Sequence, residues 1–95
     1  MATKDVAMDT VHGELFVVDD ASNEVDVYKL TDTGTPGAKI RNITGGATAL
    51  NAPSGVAVNP TLNELYIVNG ADGKLLVFAR EANGNAVPLR NVTLL

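Results

Sequence analysis

Apolar residues fall in short unbroken blocks along this chain. Every position of Leu15-Phe16-Val17-Val18 is hydrophobic, as is every position of Leu65-Tyr66-Ile67-Val68 and of Leu75-Leu76-Val77-Phe78. Side chains of a strand alternate between two faces, so a sheet with one solvated face alternates apolar with polar. These blocks call for burial on both faces. Their length, β-branched and aromatic content, and flanking turn residues predict strands, and no stretch carries helical spacing over a useful length.

The blocks recur. Residues 5–44, DVAMDTVHGELFVVDDASNEVDVYKLTDTGTPGAKIRNIT, align with 55–93, GVAVNPTLNELYIVNGADGKLLVFAREANGNAVPLRNVT. The offset is 50 from Val6/Val56 to Gly34/Gly84 and 49 from Ile40/Leu89 to Thr44/Thr93, so the first copy has one extra loop residue. Each copy predicts a four-strand antiparallel meander, over 6–9, 14–19, 25–30 and 39–44 and again over 55–59, 64–69, 75–80 and 88–93, with the last strand running on toward Leu95. Pro60 lacks a backbone donor and suits the turn it occupies.

A repeat of this size marks an architecture in which one unit cannot bury its own apolar surface. A two-sheet β-sandwich would leave the outer faces as large apolar patches, which soluble monomers avoid. A β-propeller blade, packed on both sides, meets the demand. The expected fold is therefore all-β, with two four-stranded blades over about 5–44 and 55–95, joined by a connection at 45–54 in a single 1–95 unit. Two blades are too few to close a ring, so the pattern predicts assembly. The blades would associate through apolar sheet faces, and Asp at Val68 or Val77 is expected to abolish folding and assembly together.

The opening Pro53-Ser54-Gly55-Val56-Ala57-Val58-Asn59, followed by Glu64-Leu65-Tyr66-Ile67-Val68-Asn69 and Leu75-Leu76-Val77-Phe78, resembles the blade pattern of NHL-like propellers. It is similar also to six-bladed repeat proteins of the lactonase and SMP-30 type. The likeness covers nearly the whole chain as two blades, though the first copy has Thr3-Lys4-Asp5 where the second has Pro53-Ser54-Gly55. It implies a six-bladed ring made as a homotrimer, with eight blades from four chains as the alternative. It also admits a metal-dependent hydrolase of the lactonase type.

Composition narrows the partners. The chain has 95 residues and a net charge of −4, which argues against sequence-independent nucleic-acid binding and against anionic membrane surfaces. It contains no cysteine, so disulfides and thiolate metal sites are excluded. No apolar run approaches the ~18 residues of a membrane span. The start, MATKDVAMD, lacks the apolar core of a signal peptide, making the cytoplasm the default expectation. Self-association is the first partner expected, and a protein, peptide or glycan ligand stays open, although an aromatic content of 4% weakens a sugar-stacking site.

Candidate ligand-binding residues are Asp19, Asp20 and Asn23 in the loop after the second strand, with Asn69 and Asp72 in the equivalent loop of the second copy. In a propeller this loop shares a rim with the connection between blades. Oxygen ligands of this kind would suit calcium or magnesium, but short polar residues are also what β-turns require, and that second reading is favoured. Asp9 and Asn59 end the innermost strands, where they either ring a channel or simply start the next turn. His12, the only histidine, reads as a surface residue. No nucleophile motif, phosphate-cradling loop, zinc-ligand pair or cofactor motif is present, and no catalytic or metal residue is assigned. The expected role is a non-enzymatic binding or scaffold module. The alternatives are the hydrolase and a propeller fragment or evolutionary intermediate without a ligand.

Overall fold

Asn, Asp and Gly set the hairpins, and the hairpins set the strand order. In the computed structural model, which describes residues 2–94, β1 (Thr3–Asp9), β2 (Glu14–Asp19), β3 (Glu24–Leu30) and β4 (Pro36–Ile43) form one antiparallel sheet in chain order. β5 (Pro53–Asn59), β6 (Glu64–Asn69), β7 (Lys74–Ala79) and β8 (Arg90–Thr93) form a second sheet of the same topology. All eight predicted strands are present. Leu95, expected to end the last one, lies outside the described residues. Among the described residues the one helical element is a 3-10 turn at Gly46–Thr48 in the connection between sheets.

The two copies solve their turns alike. Asp9 Oδ1 accepts from the Val11 and His12 amides at 2.9 and 3.0 Å, and Asn59 Oδ1 accepts from Thr61 and Leu62, both at 3.1 Å. Each turn then needs one left-handed residue. It is Gly13 (φ 66) in the first copy and Asn63 (φ 54) in the second. At the next hairpin the types exchange, with Asn23 (φ 54) and Gly73 (φ 68). Gly and Asn enter that region most cheaply, so the conformation persists while the residue changes.

Strand register assigns side chains to faces. Glu14, Phe16, Val18, Val25, Val27, Arg41 and Ile43 share one face of the first sheet. Val56, Val58, Leu65, Ile67, Leu76 and Phe78 share one face of the second. These faces meet, and their buried side chains, together with Leu50, form a single core. Burying a side chain of this size stabilises by about 1.5–3 kcal/mol, so this core is the main force joining the sheets.

The sheets meet as a wedge. Their backbones approach along β1 and β5, with β2 also near β5, and no comparable approach joins β3 or β4 to the outer strands opposite. The widening gap is filled by Leu50 and Ala49 from the connection and by Ala82 and Ala86 from the loop after β7. That loop is drawn across to the first sheet. Gly84 donates to the Asn42 carbonyl at 2.7 Å and accepts from the Thr44 amide at 3.0 Å, forming a parallel bridge to Ile43. The equivalent loop of the first copy has no sheet edge to reach and closes on itself instead. There the Thr31 amide donates to the Thr35 carbonyl and the Gly34 amide to the Thr31 carbonyl, each at 2.9 Å. This closure lets β4 start at Pro36, ahead of the predicted 39.

Candidate functional site

A buried ionic cluster lies where the sheets converge. Glu14, only 7% exposed at the start of β2, receives Arg41 in a bidentate pair at 2.6 and 3.0 Å. Arg80, 6% exposed just past β7, crosses from the second sheet and donates to the same carboxylate at 2.8 Å. Arg80 also donates to Asn63 Oδ1 at 3.1 Å and lies 4.0 Å from Asp9 Oδ2. Asp9 Oδ2 in turn pairs with His12 Nδ1 at 2.7 Å. Burial alone would push both carboxyls up. The Arg41 and Arg80 guanidiniums hold Glu14 below the usual carboxylate range, and the His12 ring with the His12 and Val11 amides does the same for Asp9. Arg41 Nε is buried without a hydrogen-bond partner among the described residues. Toward the other end of β1, Asp5 ties the inner strands together, with Oδ1 accepting from the Val6 amide at 2.9 Å and Oδ2 from the Val56 amide at 3.1 Å.

The predicted ligand-binding residues sit at one end of the sheets. Asp19 accepts from the Ala21 amide at 3.0 Å and from the Ser22 and Ala2 amides at 3.3 Å. Burial would raise its carboxyl, but the Ser22 hydroxyl and these amides lower it. Asp20 pairs with Lys4 at 3.5 Å. Asn23 Oδ1 accepts from the Ala52 amide at 2.7 Å, tying the first sheet's loop to the connection. Asn69 clamps that connection from the other side, accepting from the Asn51 amide at 3.0 Å and donating to the Ala49 carbonyl at 2.9 Å. Asp72 only caps its own turn, through the Lys74 amide at 3.2 Å. The structure thus brings Asn23 and Asn69 to one connection and leaves Asp72 apart in its own hairpin. A polar cleft of about 310 Å³ opens beside Asn23, lined also by Ser22, Thr44, Gly45, Gly46 and Leu50. Among the described residues no three His, Cys, Asp or Glu side chains gather as a metal-binding group.

The remaining faces of the sheets are unpartnered. On the first lie Val6, Met8, Leu15, Val17 and Tyr28, with Val6 and Met8 52% and 53% exposed. Its outer part is polar, since Asp26 accepts from Asn42 at 2.6 Å and from Lys39 at 3.4 Å. On the free face of the second sheet lie Tyr66, Val68, Leu75, Val77 and Val92. There Glu64 accepts from the Tyr66 hydroxyl at 2.8 Å and from Arg90 at 2.9 Å. These bonds lower the Glu64 carboxyl, and Glu64 raises both partners.

The ionic cluster and the Asp5 bridge escaped the sequence reading, which followed apolar blocks. A signal was present, because Glu14/Glu64 and Arg41/Arg90 recur at the repeat offset.

No protein-family model matches this chain, and no curated protein matches it. Among the described residues no helix is long and apolar enough to cross a membrane.

Proposed function

We propose that this chain is a self-assembling interaction module whose two sheets are consecutive blades of a β-propeller completed by further copies. One observation carries the reading. Within the chain the sheets do not meet through equivalent faces. The Phe16 face of the first packs on the Ile67 face of the second. By the repeat, Phe16 corresponds to Tyr66 and Ile67 to Val17. The two free faces are therefore the counterparts of the two that already meet. A head-to-tail contact of this kind can repeat, and a wedge that opens outward bends the stack into a ring. The NHL-like pattern of the sequence favours six blades from three chains.

The loop ends and the connection would then recur around one rim. This supports a multivalent polar surface around Asn23 and the adjoining cleft, suited to a protein, peptide or glycan, with no chemical step. Light scattering coupled to size exclusion tests the assembly. A mass of three times 9.9 kDa is expected, four times would indicate eight blades, and a monomer at every concentration would overturn the ring.

A further inference from the structure

We infer that the joint between copies is charge-coded differently from the joint inside a chain, so that neither free face can take its counterpart's place in the inner joint and each pairs with the other free face of a second copy. This rests on the assembly reading above. Leu30 and Arg80 are repeat counterparts on matching backbone. The Leu30 amide donates to Gly13 and the Arg80 amide to Asn63, each at 2.9 Å. Alternation along the strand places Arg80 on the face of Phe78, inside the existing joint, and Leu30 on the face of Tyr28, which is free.

The side that receives them changes in step. Inside the chain, Asp9 and Glu14 are balanced by Arg41 and Arg80. On the free face of the second sheet Asn59 replaces Asp9, while Glu64 and Arg90 already balance each other. No second guanidinium is needed there, and the Tyr66 hydroxyl supplies the additional hydrogen bond to Glu64. Two exchanges, Asp9 for Asn59 and Arg80 for Leu30, thus move together and leave both sets neutral. The inner-strand amides agree. Gly55 stands where the first copy has Asp5, and the Val6 amide that would face it is met by its own Asp5. The free faces therefore place Leu30 of one copy against Tyr66 and Glu64 of the next, where the inner joint has Arg80.

Mispairing upsets both sets. Seating the Arg80 face on Tyr66 adds an unbalanced positive charge, and seating the Leu30 face on Glu14 leaves Asp9 and Glu14 with one guanidinium between them. Burying an unbalanced charge is what enforces partner choice at such interfaces.

Sedimentation across a concentration series tests this with a charge cycle. Leu30→Arg and Asn59→Asp are each expected to weaken association at least tenfold. The double variant, which rebuilds the intrachain charge balance at every joint, should return to within about threefold of wild type, where tenfold corresponds to about 1.4 kcal/mol. Both positions lie outside the core, and circular dichroism of the monomer verifies the fold. If wild type assembles while both single variants match it, or if the double variant is no better than the singles, the coded joint is overturned and the assembly stands. A wild type that never assembles overturns both.

Discussion

Arg80 makes most of its contacts with residues far away in the chain. Glu14 lies 66 residues before it, and Asp9 lies further still. Arg80→Leu, which copies the natural residue at position 30, strips one of two guanidiniums from a pair of buried carboxylates. It should cost about 3 kcal/mol in urea unfolding, the usual penalty for breaking a buried pair from one side. Adding Asp9→Asn should recover part of that loss, because the remaining Glu14–Arg41 pair is then neutral. The same cluster gives the fold an acid limit. Asp9 and Glu14 titrate below their ordinary values of 3.8 and 4.5. Their stabilisation is therefore complete above those values and lost as pH falls through the lower, folded-state ones. Thermal melts between pH 7 and pH 2 should show the midpoint dropping from about pH 4 downward, less steeply in Asp9→Asn.

At the scale of elements, the turns were legible in the sequence and the connection was not. A left-handed position in a hairpin demands Gly or Asn, and those residues stand at 13, 23, 63 and 73. The connection is held by partners from both sheets: Asn23, Asn69 and Asn85, the last accepting from the Ala47 amide at 2.8 Å. Nothing local marks these as clamps, since an asparagine that caps its own turn reads the same in sequence. Gly45 shows the constraint. It sits at φ 126, and an added Cβ would run into the Asn85 side chain. Gly45→Ala should therefore destabilise by about 2 kcal/mol through strain and the displaced clamp. Gly46→Ala, where a Cβ meets open space, should change stability by less than about 0.5 kcal/mol. Chemical denaturation of the two variants side by side makes the comparison.

For the whole molecule, folding and assembly separate along the two kinds of face. Val68 lies on a free face and is 37% exposed, whereas Val77 on the same face is 2% exposed among its sheet neighbours. The sequence predicted that Asp at either would destroy both properties. The structure divides them. Val68→Asp should block assembly and leave a folded two-sheet unit, seen as a monomer with an unchanged β spectrum. Val77→Asp should impair both. The hydrolase reading has a thermal test. Calcium or zinc that raises the melting temperature by several degrees would restore a metal-binding role, and no shift would leave the interaction module as the working view.

Strand pattern, turn positions and the two-copy plan were determined by the sequence alone, because they rest on short-range physics. Side-chain alternation, φ restriction and β propensity act within a few residues. What the tertiary structure decided is which face of each sheet turns inward. In an all-apolar block such as Leu15-Phe16-Val17-Val18 both faces are equally hydrophobic, and alternation cannot choose between them. The choice is made across the chain, by Phe16 and Ile43 meeting Leu76 and Phe78, and by Arg80 reaching Glu14. Such contacts depend on packing and charge balance between segments that are distant in sequence, so they exist only once the sheets have met.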